Sequence, residues 1–162
     1  MGGAEGTEFH TVRGYELMRQ QNDRLTPAME DYLEMVYRLC LTGRYTRIGK
    51  LSEALHVHPS SASKMVMKLC EKGFVEYDKY EIILPTEKGK DAGAYLMRRH
   101  QTIERFLALL GSGEPLVETE LIEHVVSAGT VCLINTLLAF FEGNPQARRE
   151  LERFLEAQKE KR

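Results

Sequence analysis

Apolar side chains recur at helical spacing along most of this chain. The first clear helix begins at Thr26-Pro27, a pair that supplies a capping hydroxyl and then a proline at the first helical position, where proline costs nothing. The helix is predicted to run to about Leu41. Its apolar positions are three and four residues apart, and they are Met29, Leu33, Val36, Tyr37 and Cys40. Asp31 and Glu34 lie along one edge of this helix, where acidic residues near its start suit the helix dipole.

Two short helices joined by a tight turn are predicted next. The first covers residues 47–55, and the second begins at Pro59 and ends at Gly73. This arrangement is typical of a helix-turn-helix. Small and cationic side chains of the second helix face away from its apolar side, as expected of a helix that enters the major groove of DNA. The residues predicted to contact DNA are Pro59, Ser60, Ser61, Ser63, Lys64 and Lys68.

The next segment alternates in the way that strands do. Residues 75–77 and 82–84 read as two strands around a turn, and a helix-turn-helix followed by such a hairpin is a winged helix. Four helices complete the pattern: a long one from Thr86 to about Leu110, an acidic one, an apolar one over 130–141 and a charged final one. The predicted fold is mainly α. It has an N-terminal winged helix-turn-helix domain with a small two-stranded wing, followed by an all-α domain.

The apolar helix over 130–141 carries too many large side chains for one buried face. Val131, Ile134, Leu137, Leu138, Phe140 and Phe141 exceed a single stripe. Burial on two sides is therefore expected, most simply in a homodimer.

The amino-acid composition indicates the broad class of protein. The 162 residues are 43% hydrophobic and 28% charged, as in an ordinary globular protein. There is no apolar run long enough for a membrane span and no signal-peptide core, so no membrane association is expected and the predicted location is the cytoplasm. The three cysteines (Cys40, Cys70 and Cys132) are far apart, which disfavours both a disulfide framework and a zinc ribbon.

Charge is unevenly distributed along the chain. Residues 44–90 carry nine basic and six acidic side chains, whereas residues 112–158 carry three basic and eight acidic ones. A basic part that faces phosphates and an acidic part that faces cations would explain this distribution.

The acidic helix brings the strongest candidate chemistry. If the helix continues through Ser127, then Glu120, Glu123 and His124 stand at i, i+3 and i+4 and project from one face, which can hold a metal. The common alternative to a metal site in such a segment is a charged stripe whose histidine is hydrogen-bonded within the protein. His100, which follows Arg98-Arg99 in the long helix, would by itself be read as an ordinary surface or core histidine.

Three sequence segments, taken together, are more specific than any one of them alone. They are Thr-Pro-Ala-Met-Glu-Asp-Tyr-Leu-Glu (26–34), Val-His-Pro-Ser-Ser-Ala-Ser-Lys-Met-Val (57–66) and Glu-Leu-Ile-Glu-His (120–124). In this order, with Arg-Arg-His at 98–100, the chain resembles the metal-dependent repressors of the diphtheria toxin repressor family, in their manganese transport regulator branch. The resemblance covers about residues 26–158. It implies a homodimeric repressor of manganese uptake genes that binds double-stranded operator DNA with Mn(II) as co-repressor.

The resemblance also implies the metal ligands. The family's positions fall on Asp31, Glu34, His100, Glu120, Glu123 and His124. In the iron-responsive branch the positions of Asp31 and Glu120 hold methionine and cysteine, so the manganese branch is the better match. Four carboxylates and two imidazoles without a thiolate form a hard donor set that suits Mn(II), and so many carboxylates favour two ions per subunit, as in the family. No organic cofactor is expected.

Domain limits follow from these elements. Residues 26–90 form the predicted DNA-binding domain and residues 91–162 the predicted dimerisation and metal-binding domain. Residues 1–25 are an N-terminal extension outside the resemblance, with no function assigned. The wing tip departs from the family pattern, because Glu81 and Ile82 stand where a basic residue and a glycine are common.

Parts of the pattern also fit other functions. A winged-helix regulator could respond to Fe(II) or Zn(II) instead of Mn(II). It could also respond to an organic ligand, and the acidic cluster would then be only structural. A di-metal carboxylate enzyme was considered because Glu53 and His56 have Glu-x-x-His spacing. It is rejected because the second such helix is missing, as are a nucleophile set and a phosphate-binding loop. The chain is therefore not expected to be an enzyme.

Overall fold

The structure is a computed structural model that describes residues 25–159. All but the last residue of the predicted N-terminal extension therefore lies outside the described residues. The helices of the described part are α1 (Pro27–Leu41), α2 (Ile48–Ala54), α3 (Pro59–Glu71), α4 (Glu87–Leu109), α5 (Pro115–Ile122), α6 (Ala128–Gly143) and α7 (Pro145–Lys159). The mainly α fold predicted from the sequence is confirmed.

Helix α1 is the centre of the N-terminal core. It begins where the sequence predicts, because the Thr26 hydroxyl accepts a hydrogen bond from the backbone N–H of Met29 (3.3 Å). Leu33 and Val36 are fully buried on its inner face. They belong to one cluster with residues from α2, α3 and the sheet, and the fully buried partners are Leu51, Ala62, Val66, Leu69 and Ile83. This cluster fixes α1 relative to the helix-turn-helix.

The wing differs from its prediction in one strand. Strands β2 (Val75–Tyr77) and β3 (Ile82–Pro85) form the expected antiparallel hairpin, with Tyr77 opposite Ile83. A third strand, β1 (Thr46–Arg47), pairs with the other edge of β3, so the sheet has three strands in the order β1-β3-β2 and not two. Two residues are too few to show a period of two, which is why the sequence pattern missed β1.

The wing tip has a backbone shape that favours glycine. Glu81 has a φ of 60°, in the left-handed region. The carboxylate of Asp78 supports the turn, because its Oδ1 accepts hydrogen bonds from the backbone N–H groups of Tyr80 (2.9 Å) and Ile82 (3.0 Å). The left-handed residue of the wing tip is therefore a glutamate, in a turn that the Asp78 side chain stabilises.

Close packing of α4 on α1 positions the metal-binding region. A Cβ atom on Gly93 would lie 2.5 Å from Cβ of Tyr37, so only glycine permits this approach of the two helices. A Cβ on Gly89 would likewise collide with the carbonyl oxygen of Phe74. Two turns beyond Gly93, the same helix carries His100 toward α1. The predicted domain boundary at residue 90 lies inside α4, which joins the two parts as one continuous helix.

The acidic helix ends earlier than predicted. Helix α5 stops at Ile122, Glu123 is its C-cap, and His124 lies in the turn that follows. The expectation that Glu120, Glu123 and His124 share one helical face is therefore wrong. The next helix begins soon afterwards, where Ser127 caps the start of α6, its hydroxyl accepting from the N–H of Thr130 (3.2 Å).

The C-terminal helices expose a large apolar surface in the single chain. Leu138 is the one buried residue of α6, while Leu133 and Phe140 are exposed. Leu121 and Val125, near the end of α5, are 74% and 84% exposed. Exposure of this extent is typical of a protein interface. None of the described helices is long and apolar enough to cross a membrane.

Candidate metal centre and nucleic-acid interface

The six residues predicted as metal ligands line one open cavity. Its volume is about 390 Å³, and it lies where α1, α4, α5 and the turn after α5 meet. The residues are Asp31, Glu34, His100, Glu120, Glu123 and His124. They come from three separate parts of the chain, so the fold brings together what the sequence keeps apart.

Five of the six form two overlapping groups of donor atoms. Asp31, Glu123 and His124 place one ligand atom each within 4.8 Å of one another, and so do Glu34, His100 and Glu123. Glu123 belongs to both groups. Glu120 lines the cavity but is in neither group.

Direct contacts hold these donors in place. His124 Nε2 lies 3.1 Å from Asp31 Oδ1, and His100 Nδ1 lies 3.2 Å from both carboxylate oxygens of Glu123. In addition, Arg38 donates through Nε and Nη2 to the same oxygen of Glu34, Oε1, at 2.8 and 2.6 Å. Each of these three carboxylates therefore has a histidine or arginine side chain at hydrogen-bond distance.

The surroundings shift the pKa values of three of these groups. Partial burial raises the pKa of the Asp31 carboxyl. The hydrogen bond from His100 to Glu123 raises the pKa of the imidazole. Burial alone would raise the pKa of Glu123, which is 4% exposed, but the hydrogen bond and charge of His100, with Arg99 and His124 nearby, bring it below its usual value. The carboxylates thus sit where positive charge is favoured.

The donor set fits a divalent cation. Each group offers carboxylate oxygen and imidazole nitrogen, and none of the donors is a thiolate. Partial burial makes the ionised form of Asp31 less favourable, and a nearby cation would compensate for that cost. The residues present are therefore chemically suited to a metal of the hard type.

Sequence reasoning missed three residues that contact the predicted ligands. Glu30 Oε2 lies 2.8 Å from His124 Nδ1 and 2.7 Å from Nη2 of Arg99, a side chain that is almost completely buried. Arg38 is the third residue. Its i, i+4 spacing from Glu34 is a readable signal of an ion pair. Glu30 and Arg99 are sequence neighbours of Asp31 and His100, and no local pattern indicates that they contact each other.

The predicted DNA-contacting residues lie on the outer side of α3. Pro59, Ser60, Ser61, Lys64 and Lys68 are exposed. Ser63 is half-buried, and its hydroxyl lies 3.3 Å from the hydroxyl of Tyr77 in the wing. Met67, which the sequence reasoning did not select, is exposed between the two lysines. The surface of α3 thus combines cations, small hydroxyls and one flexible apolar side chain.

The residues considered for an enzyme do not assemble. Glu53 and His56 are exposed on and after α2, and neither belongs to a group of metal-capable side chains within the described residues. His56 has a φ of 53° and shapes the turn between α2 and α3.

Two known family descriptions match this chain, one in its N-terminal part and one in its C-terminal part. The description "Iron dependent repressor, N-terminal DNA binding domain" matches residues 24–82. "Iron dependent repressor, metal binding and dimerisation domain" matches residues 86–152. The chain belongs to the iron-dependent repressor family. It is thus a metal-dependent, DNA-binding transcriptional repressor and not an enzyme, and the exposed apolar surface lies in the family's dimerisation domain.

Individual members of the family are similar over most of the chain. The HTH-type transcriptional regulator MntR of Bacillus velezensis is 40% identical over 129 residues, which cover 78% of this chain and 91% of the relative. MntR of Bacillus subtilis (strain 168) is 39% identical over the same shares. These matches agree with the family resemblance that the sequence motifs indicate.

Solved structures show the same fold. The metal-dependent transcriptional regulator MtsR has a TM-score of 0.64 and 32% identity, and the manganese regulator SloR a TM-score of 0.62 and 32% identity. Each match covers 72% of this chain and 55% of the other, so the chain spans about half the length of these two proteins.

Proposed function

We propose that this family member is a homodimeric repressor of manganese uptake genes that holds two Mn(II) ions per subunit. The observation that carries the proposal is the pair of donor groups that share Glu123. Two donor groups with one common carboxylate suit a two-ion centre, because a carboxylate has two oxygens and can contact both ions. The similarity to a regulator described as a manganese regulator supports the same metal.

The proposed ligands are Asp31, Glu34, His100, Glu120, Glu123 and His124. A bound divalent ion supplies the positive charge that lets several carboxylates share one small volume. Hard oxygen and nitrogen donors without sulfur suit Mn(II), although Mn(II) is the weakest binder among the first-row divalent ions, so the geometry of the site must favour it.

The arrangement links metal binding to DNA binding. Asp31 and Glu34 are on α1, which is packed into the helix-turn-helix core, while the other ligands come from α4, α5 and the following turn. We infer the domain division at 26–90 and 91–162, so the site joins the two domains across α1 and α4. Metal that binds more tightly to the DNA-competent arrangement would favour it, with about 1.4 kcal/mol of difference giving roughly tenfold in operator affinity.

The proposed DNA-contacting surface is the exposed side of α3. Pro59 and the serines at 60 and 61 allow close approach at the start of the helix, with Ser63 beside the wing. Lys64 and Lys68 supply charge for phosphates or guanine edges. Double-stranded operator DNA is the proposed partner.

Operator binding measured with different metals tests the function. Binding to the promoter of a manganese uptake gene should require Mn(II) and be lost in chelator, with Fe(II) and Zn(II) titrated in parallel. Equal binding in chelator would contradict metal control, and a response to Fe(II) or Zn(II) but not Mn(II) would contradict the proposed metal.

Counting bound ions tests the site. Calorimetry or manganese EPR should give two ions per subunit for the parent. Asp31→Ala and Glu34→Ala should each remove one ion, whereas Glu123→Ala should remove both because Glu123 belongs to both groups. Glu118→Ala, an exposed acid on α5, is the matched control and should leave two. Two tightly bound ions in Glu123→Ala would refute the shared-ligand site.

A further inference from the structure

Glu30 joins two side chains through a single oxygen atom. Its Oε2 lies 2.8 Å from Nδ1 of His124 and 2.7 Å from Nη2 of Arg99. Arg99 is 4% exposed, so this guanidinium group is removed from water and its charge needs a partner within the protein. Glu30 is that partner, and it also contacts one of the proposed metal ligands.

Hydrogen-bond chemistry determines which nitrogen of His124 carries the proton. A carboxylate only accepts, so the 2.8 Å contact requires a hydrogen on Nδ1. Nη2 of Arg99 also approaches Nδ1, at 3.3 Å, but a guanidinium only donates and cannot form a hydrogen bond to a nitrogen that already carries a hydrogen. Carboxylates flank both ring nitrogens, Glu30 at 2.8 Å from Nδ1 and Asp31 at 3.1 Å from Nε2, and the shorter contact favours a neutral imidazole with its hydrogen on Nδ1.

In the neutral imidazole this leaves the lone pair on Nε2. That atom lies 3.1 Å from Oδ1 of Asp31, inside the group formed by Asp31, Glu123 and His124. Without the acceptor on its other side, His124 could carry its proton on Nε2 and would then have no lone pair to offer there. Glu30 thus controls both the direction and the availability of the donor atom.

Arg99 in turn fixes Glu30 beside the cluster. Its Nε lies 4.0 Å from Oε2 of Glu123 and, among the described residues, has no hydrogen-bond partner although it is buried. The guanidinium group therefore lies between two carboxylates, Glu30 from α1 and Glu123 after α5. A cation in this position holds both elements beside α4.

We propose that Glu30, held by Arg99, is a positioning residue that presents Nε2 of His124 to the metal. The inference rests on the proposed function of His124 as a ligand. It assigns two roles to α1: Asp31 and Glu34 are proposed to bind the ion, while Glu30 orients a ligand from the other domain. A histidine ligand whose second nitrogen donates to a carboxylate is a recurring feature of metal sites, and loss of that carboxylate costs about 10- to 100-fold in metal affinity.

The test uses the full-length, metal-free protein with Mn(II) as the probe. Glu30→Ala removes the acceptor, Glu30→Gln keeps an acceptor oxygen without the charge, and His124→Ala removes the ligand. Glu118→Ala is the control for losing one negative charge from the C-terminal part. The readouts are the Kd for Mn(II), from the EPR signal of free Mn(II), and the tautomer of His124 before metal addition, from ¹⁵N-histidine NMR. Thermal unfolding shows whether each variant is folded.

The positioning role predicts a linked change in both readouts. In the parent, His124 should carry its proton on Nδ1. Glu30→Ala should shift the proton toward Nε2 and raise the Kd by about 10- to 100-fold, whereas Glu30→Gln should keep the parent tautomer and lose less affinity. Glu118→Ala should match the parent in both readouts. If Glu30→Ala does not fold, the Glu30→Gln result still decides, because a Gln variant with the Nε2–H tautomer contradicts the role of the acceptor oxygen.

The remaining outcomes separate this inference from the proposed site. Parent-like tautomer and affinity in Glu30→Ala, with weaker binding in His124→Ala, overturn the positioning role and leave the metal site intact. Weaker binding in Glu30→Ala with an unchanged tautomer also overturns it, since the effect is then only structural or electrostatic. Unchanged affinity in His124→Ala overturns the proposed ligand and the inference with it.

Discussion

His100 and the buried Glu123 form a pair at the centre of the candidate site, with Nδ1 of the imidazole 3.2 Å from both carboxylate oxygens. Their mutual attraction raises the pKa of His100 above the usual 6.5 and, against burial, lowers that of Glu123 below 4.5. The His100 contribution to stability is present below pH 6.5 and is lost as pH rises through its raised pKa. The Glu123 contribution is present above pH 4.5 and is lost as pH falls through its lowered pKa.

Protons should therefore compete with metal for this site. A histidine ligates only when neutral, so the raised pKa of His100 extends the competition above the usual histidine range. At a fixed, subsaturating Mn(II) concentration, operator affinity should fall as pH drops from about 7.5 to about 5.5, and excess Mn(II) should restore it. Fluorescence anisotropy with labelled operator measures this.

The control for this pH effect is the variant with both His100→Ala and His124→Ala. Acid unfolding or altered lysine contacts would also weaken DNA binding, but excess Mn(II) would not reverse those effects. Manganese rescue in the double variant equal to that of the parent would show that these histidines are not ligands.

Arg38 is predicted to weaken metal binding. Its guanidinium donates twice to Oε1 of Glu34 and lines the same cavity, so it places a positive charge beside the proposed cation site. Because the Arg38–Glu34 ion pair is partly exposed, its interaction free energy is about 0.2–1 kcal/mol. Arg38→Met should tighten Mn(II) binding by up to about fivefold.

Arg98→Met makes the same change on α4, outside the cavity, and is the matched control. It should leave the Kd for Mn(II) at the parent value. Weaker binding in Arg38→Met would mean that Arg38 holds Glu34 in its binding position and that this effect exceeds the charge repulsion.

Metal preference should depend on Asp31 and Glu120. Both offer hard carboxylate oxygen, so replacing them with Met and Cys gives the site softer sulfur donors. The double variant Asp31→Met, Glu120→Cys should shift the metal response of operator binding from Mn(II) toward Fe(II) or softer ions. Glu118→Cys, which adds a thiol outside the cavity, controls for nonspecific thiol binding. A parent-like preference in the double variant would exclude these two positions as determinants of selectivity.

Lys64 should contribute to DNA binding through charge. It is exposed on α3, so Lys64→Ala should weaken operator binding and lower the slope of log K against log salt by about one. Metal binding should not change. Arg149→Ala, an exposed cation on α7 in the other part of the chain, is the control and should keep the parent slope. An unchanged slope in Lys64→Ala would place the DNA-contacting surface elsewhere.

The elements that the sequence predicted well are those with a local signal. Thr26 and Pro27 marked the start of α1 because capping involves residues three apart, and Pro59 marked the start of α3 for a similar reason. The wing hairpin followed from two alternating runs around a turn. By contrast, β1 is only two residues long, and no glycine or proline marks the end of α5 at Ile122.

The sequence by itself determined the helix-turn-helix, the wing hairpin, the order of the helices and the residue types of the six proposed ligands. Only the tertiary structure decided how those ligands meet. Glu30 and His124 are 94 residues apart in the chain, and their contact depends on the packing of α1 against α4 and on the turn after α5. Periodicity shows which face of a helix is buried, but it carries no information about which distant side chain that face will meet, since that depends on how separate elements pack together.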